Sequence, residues 1–385
     1  MLGAACHRGI TTNGPRLWSP AASGGHTDLD VNAPAAKDSG LFGLVTAVKD
    51  ARVVVVPVPF EATVSYSAGT ARGPAAILAA SRQVDLLDAD VGRPYEAGIA
   101  LDVPLAAAVA RNGTARAAAR RCIDAITAGR PVAAEDGALV DDAGAAINRE
   151  LTERISGLLH DGKVPVVIGG DHSVPYGAIA ACASAMGERS LGVLHLDAHA
   201  DLRDAYEGFQ WSHASIMRNV VEKIPLVRLV QVGIRDFSDG ELDLIRAQPG
   251  RVTTYFDAQL RKARLAGGWA EMCAAIANAL PENVYLSFDI DGLDPSQCPH
   301  TGTPVPGGLS FDEVVALLDA VVSAGKRIVG LDLVEVAPDA ALADDDLAGS
   351  WDGNVGARLL YKMIGYALVS RGAARPDLPR APGVR

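Results

Sequence analysis

The sequence predicts an α/β protein: a single domain of three layers, α/β/α, built on a mainly parallel central sheet. Short unbroken runs of Val, Ile and Leu recur between longer amphipathic stretches, the rhythm of a chain that returns to its sheet through helices. Within the runs, apolar and polar residues do not alternate, which suits parallel strands buried on both faces. Length permits one large core or two smaller ones, since 49% of the 385 residues are hydrophobic. No internal repeat breaks the pattern.

Residues 1–48 are rich in Gly, Pro, Ser, Thr and Asn and carry little periodicity. They read as an N-terminal extension, flexible or laid over a neighbouring subunit. Strands are expected at 53–58, 164–168, 191–196, 226–232, 284–288 and 328–333. Helices are expected between them, among others at 73–87, 143–159, 175–186 and 312–324. The last of these opens with a capping box, Ser310 with Glu313, and places Val314, Leu317, Leu318 and Val321 on one face. The folded domain is expected to span 49–372, and 373–385, with four Pro or Gly residues and several Arg, reads as a C-terminal tail.

Acidic residues outnumber basic ones by 46 to 35, a formal net charge of −11. That balance argues against nucleic acid or an anionic membrane as partner and favours cationic ligands or metals. Cys6, Cys122, Cys182, Cys273 and Cys298 are scattered and form no CxxC pair, so neither a disulfide framework nor a thiolate zinc site is expected. A reducing cytoplasm fits this usage. No basic start followed by an apolar run occupies the first thirty residues, and no stretch is long enough to span a membrane.

In parallel sheets, ligands gather outside the carboxyl ends of the strands. Three polar clusters fall there. Gly169-Gly170-Asp171-His172-Ser173 follows the second strand; alone, it reads equally well as a strand-to-helix turn with a capping Asp or Ser. His195-Leu196-Asp197-Ala198-His199-Ala200-Asp201 ends the third. Alternate residues of an extended chain share a side, so Asp197, His199 and Asp201 would face one cavity, an arrangement that calls for a compensating cation. His195 lies deeper in the strand and reads as a hydrogen-bonded core histidine. Ser287-Phe288-Asp289-Ile290-Asp291-Gly292-Leu293-Asp294-Pro295 closes the fifth strand. Asp289 and Asp291 point to one side, and Asp294 reads as a turn residue. His172, Asp197, His199, Asp201, Asp289 and Asp291 make a mixed nitrogen and carboxylate set that suits Mn²⁺ and also accepts Ni, Co or Zn. Six ligands exceed the need of one catalytic ion but fit two ions sharing carboxylates, an arrangement that activates water at neutral pH.

These motifs, taken in order, resemble the ureohydrolase family of arginases and agmatinases over roughly residues 53–368. The resemblance also runs through Pro57-Val58-Pro59-Phe60, Gly69-Thr70, Gly73-Pro74, Gly302-Thr303-Pro304, Gly307-Gly308-Leu309 and Glu335-Val336-Ala337-Pro338. It implies two divalent ions per chain, Mn²⁺ or Ni²⁺. His172, Asp197, Asp201 and Asp289 match the ligands of one; Asp197, His199, Asp289 and Asp291 match those of the other. His213, in Trp211-Ser212-His213-Ala214-Ser215, matches the proton-shuttling histidine. Glu335 matches the glutamate that clamps a guanidinium, Asp201 helps to stabilise the attacked carbon, and Asp332 supports from behind. The implied reaction cleaves a guanidino compound to urea and an amine. Homo-oligomers, trimers or hexamers, are implied as well, with a homologous partner subunit as an alternative.

Substrate choice is argued from departures. Arginase-type members place an Asn where Arg203 stands and an acidic residue where Ser238 stands, so arginine is disfavoured. The run Leu202-Arg203-Asp204-Ala205-Tyr206-Glu207-Gly208, Ser212-His213-Ala214-Ser215 and Trp351-Asp352-Gly353-Asn354-Val355-Gly356-Ala357-Arg358 resemble the agmatinase-type branch. That branch takes agmatine, guanidino acids or free guanidine. A long extension, with Phe209 and Trp211 narrowing the pocket, would favour a small or alkylated guanidine, even a biguanide, with nickel. A one-zinc deacetylase, a binuclear phosphoesterase and a non-catalytic subunit are the rival expectations.

Overall fold

In the computed structural model, which describes residues 30–187 and 189–378, eight strands form one sheet. They are β1 (Val53–Val58), β2 (Ile99–Leu101), β3 (Val164–Gly169), β4 (Leu191–Leu196), β5 (Arg228–Ile234), β6 (Val252–Phe256), β7 (Asn283–Asp289) and β8 (Arg327–Val334). Their order is β2-β1-β3-β8-β7-β4-β5-β6, and every pairing is parallel. Six of the eight coincide with apolar runs. The two others, β2 and β6, are the edge strands: β2 has three residues, and β6 reads Val-Thr-Thr-Tyr-Phe and is mostly half-buried. An edge strand is covered less, so its sequence has less reason to be uniformly apolar.

Ten helices among the described residues cover the sheet: α1 (Gly73–Ser81), α2 (Ala106–Thr127), α3 (Ala134–His160), α4 (Tyr176–Met186), α5 (Ile216–Lys223), α6 (Asp239–Ala247), α7 (Asp257–Leu265), α8 (Trp269–Ala279), α9 (Phe311–Ser323) and α10 (Trp351–Val369). Strand side chains alternate between two cores, as a period of two requires. Val53 and Val55 join a core formed with α1, α8, α9 and α10. Val54, Val56 and Val58 join one formed with α2, α3, α4 and α5. The capping box at the start of α9 is present, with Ser310 accepting from the Glu313 N–H at 3.2 Å.

Residues 1–29 of the expected extension and 379–385 of the tail lie outside the described residues. Within the described part of the extension, Leu41, Phe42 and Leu44 are buried in the α1/α10 core. The Phe42 ring lies 4.8 Å from that of Tyr361, and the Phe42 N–H donates to Ser81 Oγ. No helix among the described residues is long and apolar enough to cross a membrane. Cys122, Cys182, Cys273 and Cys298 are free and buried.

The strand order matters most at its centre. β3, β8, β7 and β4 are consecutive in the sheet, so the loops leaving their carboxyl ends meet over one crevice.

Candidate metal centre and active site

Each central strand delivers a functional side chain to that crevice. After β3 the chain turns sharply through Gly170, where a Cβ would lie 1.8 Å from the Phe60 carbonyl oxygen. Only glycine fits there, and the turn it permits carries His172 inward. β7 ends in Asp289, whose Oδ1 accepts from the Asp291 N–H at 2.8 Å. β4 stops at Leu196, and the extended conformation does not continue as the sequence suggests. Asp201 instead adopts φ +55°, and Glu335, after β8, adopts φ +61°. Both are rare conformations for non-glycine residues, and both belong to residues singled out for chemistry.

The six expected ligands come together. His172 Nδ1 lies 3.0 Å from Asp197 Oδ2, 3.2 Å from Asp201 Oδ2 and 3.2 Å from Asp289 Oδ2. His199 Nδ1 lies 3.1 Å from Asp291 Oδ2 and 3.5 Å from Asp197 Oδ1. Asp197 therefore touches both halves, one oxygen to each. Asp289 touches the His172 half directly and reaches Asp291 only through that residue's backbone.

The charges in this cluster are frustrated. Burial, then Asp197, pushes Asp201 up to about 7; burial, then Asp291 and Asp197, pushes Asp289 well above the usual carboxylate range. Burial alone would lower the two imidazoles, yet the carboxylates raise His172 well above its ordinary value and His199 to about 12. Asp197, despite burial, is held well below the ordinary value by His195, His172 and His199. So many buried carboxylates need positive charge beside them. Oxygen and imidazole donors lie within 4.8 Å of one another in two groups sharing Asp197. One group is His172, His195, Asp197 and Asp201, the other Asp197, His199 and Asp291, with Asp289 in neither. Such donors suit divalent cations.

Beneath the cluster runs a buried polar row that sequence reading largely missed. Gln231, His195, Ser287 and Asp332 sit in register across β5, β4, β7 and β8, and all four are fully buried. His195 donates from Nε2 to Asp197 Oδ2 at 2.8 Å, while its Nδ1 accepts from Gln231 Nε2 at 3.1 Å. Ser287 Oγ lies 3.0 Å from His172 Nε2 and donates to Asp332 Oδ1 at 3.1 Å. The row fixes which nitrogen of His172 faces the carboxylates. Its signal was available: a Gln, a His, a Ser and an Asp interrupting otherwise apolar strands.

Glu335 lies against the cluster. Its Oε1 accepts from the His172 N–H at 2.8 Å, and its carbonyl accepts from Thr301 Oγ1 at 2.8 Å. Gly302 packs on the other carboxylate oxygen, where a Cβ would approach to 2.8 Å. Burial, then Asp289 and Asp171, raises Glu335 well above the usual range. His213 opens a short 3₁₀ turn capped by Ser212, which leads into α5. Burial, then His199 and His172, pushes its imidazole down to about 4. The Tyr206 ring meets it edge-on at 5.8 Å, and Arg203 lies 4.9 Å over Tyr206.

Two expectations about the pocket wall are corrected. Phe209 is buried in the helix-side core rather than lining the pocket. Trp211 packs against Gly144 of α3, Tyr176 of α4 and Lys223 of α5. Phe209 thus has no exposed surface to offer a pocket, and the Trp211 ring is taken up by those three helices. Ser238 is the N-cap of α6, its hydroxyl donating to Glu241 at 2.8 Å, and Asp294 holds a turn by accepting from Ser296.

An open parallel sheet with buried, paired His/Asp clusters at its carboxyl edge defines a metal-dependent hydrolase. The chain belongs to the arginase family, whose model matches residues 51–364. Over 324 residues it is 36% identical to N(1)-aminopropylagmatine ureohydrolase of Thermus thermophilus, covering 83% of this chain and 92% of that one. Among solved structures, proclavaminate amidinohydrolase of Streptomyces clavuligerus matches with a TM-score of 0.63 at 27% identity, over 87% of this chain and 99% of that one. The agmatine ureohydrolase of Thermoplasma volcanium matches with a TM-score of 0.63 at 23% identity, over 84% and 92%. The protein is thus a ureohydrolase of the agmatinase-like kind, hydrolysing a C–N bond of a linear amidine, with the family's binuclear metal site.

Proposed function

We propose that the chain hydrolyses a guanidino compound bearing a cationic tail, agmatine or an alkylated agmatine, to urea and the corresponding amine. The observation that carries this is the convergence of six buried His and Asp side chains with Glu335 at the ends of four adjacent strands. His172, Asp197, Asp201 and Asp289 would hold one divalent ion, and Asp197, His199, Asp289 and Asp291 the other, Mn²⁺ or Ni²⁺. When bound, the ions supply Lewis acidity and a water activated for attack at neutral pH.

The chain's own groups do the rest. Glu335, its Oε1 steadied by the His172 N–H, binds the planar guanidinium by charge-assisted hydrogen bonds. A bound cation offsets the burial and the neighbouring carboxylates that push the Glu335 carboxyl up. Asp201 stabilises the attacked carbon's substituents as it becomes tetrahedral. His213 delivers a proton to the departing amine nitrogen, and its depressed pKa makes it a ready donor once charged.

The tail preference rests on charge at the rim. Asp236 is well exposed, with Oδ2 3.9 Å from His199 Nε2, so a carboxylate stands at the mouth. Arg203, two residues past Asp201, is turned toward Tyr206 and Glu241, and Arg235, next to Asp236, is turned to the backbone carbonyls of Gly233, Asp291, Leu293 and Val305. That pairing favours a distal ammonium over a distal carboxylate, as does the 36% identity to an aminopropylagmatine enzyme. On the same reading residues 49–372 are the catalytic unit of a cytoplasmic trimer or hexamer, with 1–48 its extension and 373–385 its tail, although Leu41, Phe42 and Leu44 of the extension pack into the unit's own core rather than on a neighbour.

Urea release across agmatine, aminopropylagmatine, guanidinobutyrate, arginine, guanidine and a biguanide tests the proposal, with the protein reconstituted in Mn²⁺ and in Ni²⁺. Fastest turnover of the cationic-tailed substrates supports it. Preference for guanidinobutyrate or a neutral guanidine overturns the tail argument, and no urea from any substrate with either metal overturns the function.

A further inference from the structure

The hydroxyl of Thr63 is fully buried and stands between Asp171 and His213. The Thr63 N–H donates to Asp171 Oδ2 at 3.2 Å, and Thr63 Oγ1 lies 3.3 Å from the same oxygen. The His213 N–H donates to Thr63 Oγ1 at 3.1 Å, and His213 Nδ1 lies 3.1 Å from it. Asp171 Oδ1 accepts from both the backbone and the hydroxyl of Ser173. Every partner of the Asp171 carboxylate is thus a donor. A hydroxyl has one proton to give and two lone pairs to offer. With its proton directed to Asp171, Thr63 Oγ1 can only accept from the imidazole.

We propose that Thr63 is a positioning residue that holds the proton on His213 Nδ1 and so leaves Nε2 as the nitrogen that exchanges protons with the leaving amine. The neutral ring keeps Nδ1–H on Thr63, with Nε2 bare. The charged ring keeps the same bond and carries its second proton on Nε2, which has no hydrogen-bond partner among the described residues. Gain and loss of the proton at Nε2 therefore require no rotation of the ring or of the hydroxyl, and Thr63 keeps its own proton throughout. A fixed hydrogen bond at one ring nitrogen that sets the role of the other is the general logic of an oriented histidine.

The geometry around the pair is stiff. Ser212 Oγ is a weaker rival for Nδ1 at 3.4 Å, and it already accepts from the Ala214 N–H. Tyr206 meets the ring at 86°, limiting its swing. The loop carrying Thr63 is clamped by Glu61, which accepts from the Gly69 and Ala71 N–H groups at 2.8 Å and pairs with Arg116 of α2. The Glu61 N–H in turn donates to Asn112 of the same helix at 2.8 Å.

This proposal rests on the reading of His213 as the proton carrier, and the test separates the two. Thr63→Val, Thr63→Ser and His213→Asn are compared for kcat and KM in urea release, for metal content, and by ¹⁵N NMR of histidine-labelled metal-free protein. Thr63→Val is expected to lower kcat about 10- to 100-fold, part of what general acid–base catalysis contributes, with KM changed less than about twofold. Thr63→Ser is expected to restore most of that loss. The His213 signals are expected to report the Nδ1–H tautomer in the natural protein and a mixture in Thr63→Val. An inactive His213→Asn beside an unimpaired Thr63→Val overturns the proposal alone. Equal losses in Thr63→Val and Thr63→Ser, or an Nε2–H tautomer in the natural protein, overturn it as well. A fully active His213→Asn overturns the proton-carrier reading, and the proposal with it.

Discussion

Replacing Glu335 by Gln preserves the shape of the side chain and removes its charge. The amide oxygen can still accept the His172 N–H that Glu335 Oε1 accepts at 2.8 Å, so the backbone around the cluster is retained. What disappears is the carboxylate that meets the guanidinium. A buried hydrogen bond to a charged group contributes about 1.5–3 kcal/mol, so kcat/KM for agmatine is expected to fall about 10- to 150-fold. The assay is steady-state urea release, with metal per chain measured on the same sample. Stability should move the other way in metal-free protein. Burial, then Asp289 and Asp171, holds the pKa of Glu335 well above its ordinary 4.5. Its contribution is therefore full below that value and is lost as pH rises through the folded pKa. Gln carries no such penalty, so metal-free Glu335→Gln should melt no lower than the natural chain at pH 8. A kcat/KM within about twofold of normal at full metal loading would refute the placement of the guanidinium at Glu335.

Other outcomes follow from the same geometry. His172→Ala or Asp291→Ala is expected to abolish turnover and reduce bound metal, read by elemental analysis; full occupancy with full activity would contradict the ligand assignment. In metal-free protein, Asp201 is raised by burial and Asp197 to about 7, so its contribution to stability falls as pH rises from about 4 to 7. Thermal melts of Asp201→Asn should therefore gain on the natural chain across that window, and a constant difference would argue against the shift. Gly302→Ala should displace the Glu335 carboxylate, whose Oε2 its Cβ would meet at 2.8 Å, raising KM for every guanidine; an unchanged KM would count against that contact. Asp236→Ala should raise KM for agmatine about two- to fivefold, the scale of an exposed charge pair, and leave guanidine unaffected. Equal effects on both substrates would remove the tail argument.

Most of this architecture was legible because it is written in periodicity. Buried parallel strands cannot be spelled without apolar runs, so β1, β3, β4, β5, β7 and β8 stand out, whereas β2 and β6 lie at the edges and escape that requirement. The ligand clusters were legible because they are local in sequence, each at the end of one strand. What sequence could not show was lateral. The row Gln231–His195–Ser287–Asp332 exists only once four strands fall into register, and Thr63 reaches His213 across 150 residues of chain. Phe209 and Trp211 were misassigned for a similar reason. An aromatic residue near a catalytic motif looks like a pocket wall until α3, α4 and α5 supply the apolar surface that takes it.

The central claim is that the paired His/Asp cluster is a two-ion centre that splits guanidines, and a single preparation can test it. The chain is stripped with chelator and titrated with Mn²⁺ and, separately, Ni²⁺, while bound metal per chain and urea release from agmatine are followed together. Activity that appears as occupancy approaches two ions per chain is the predicted result. Full activity at one ion or fewer per chain would contradict the account, as would two bound ions with no urea released from any guanidine.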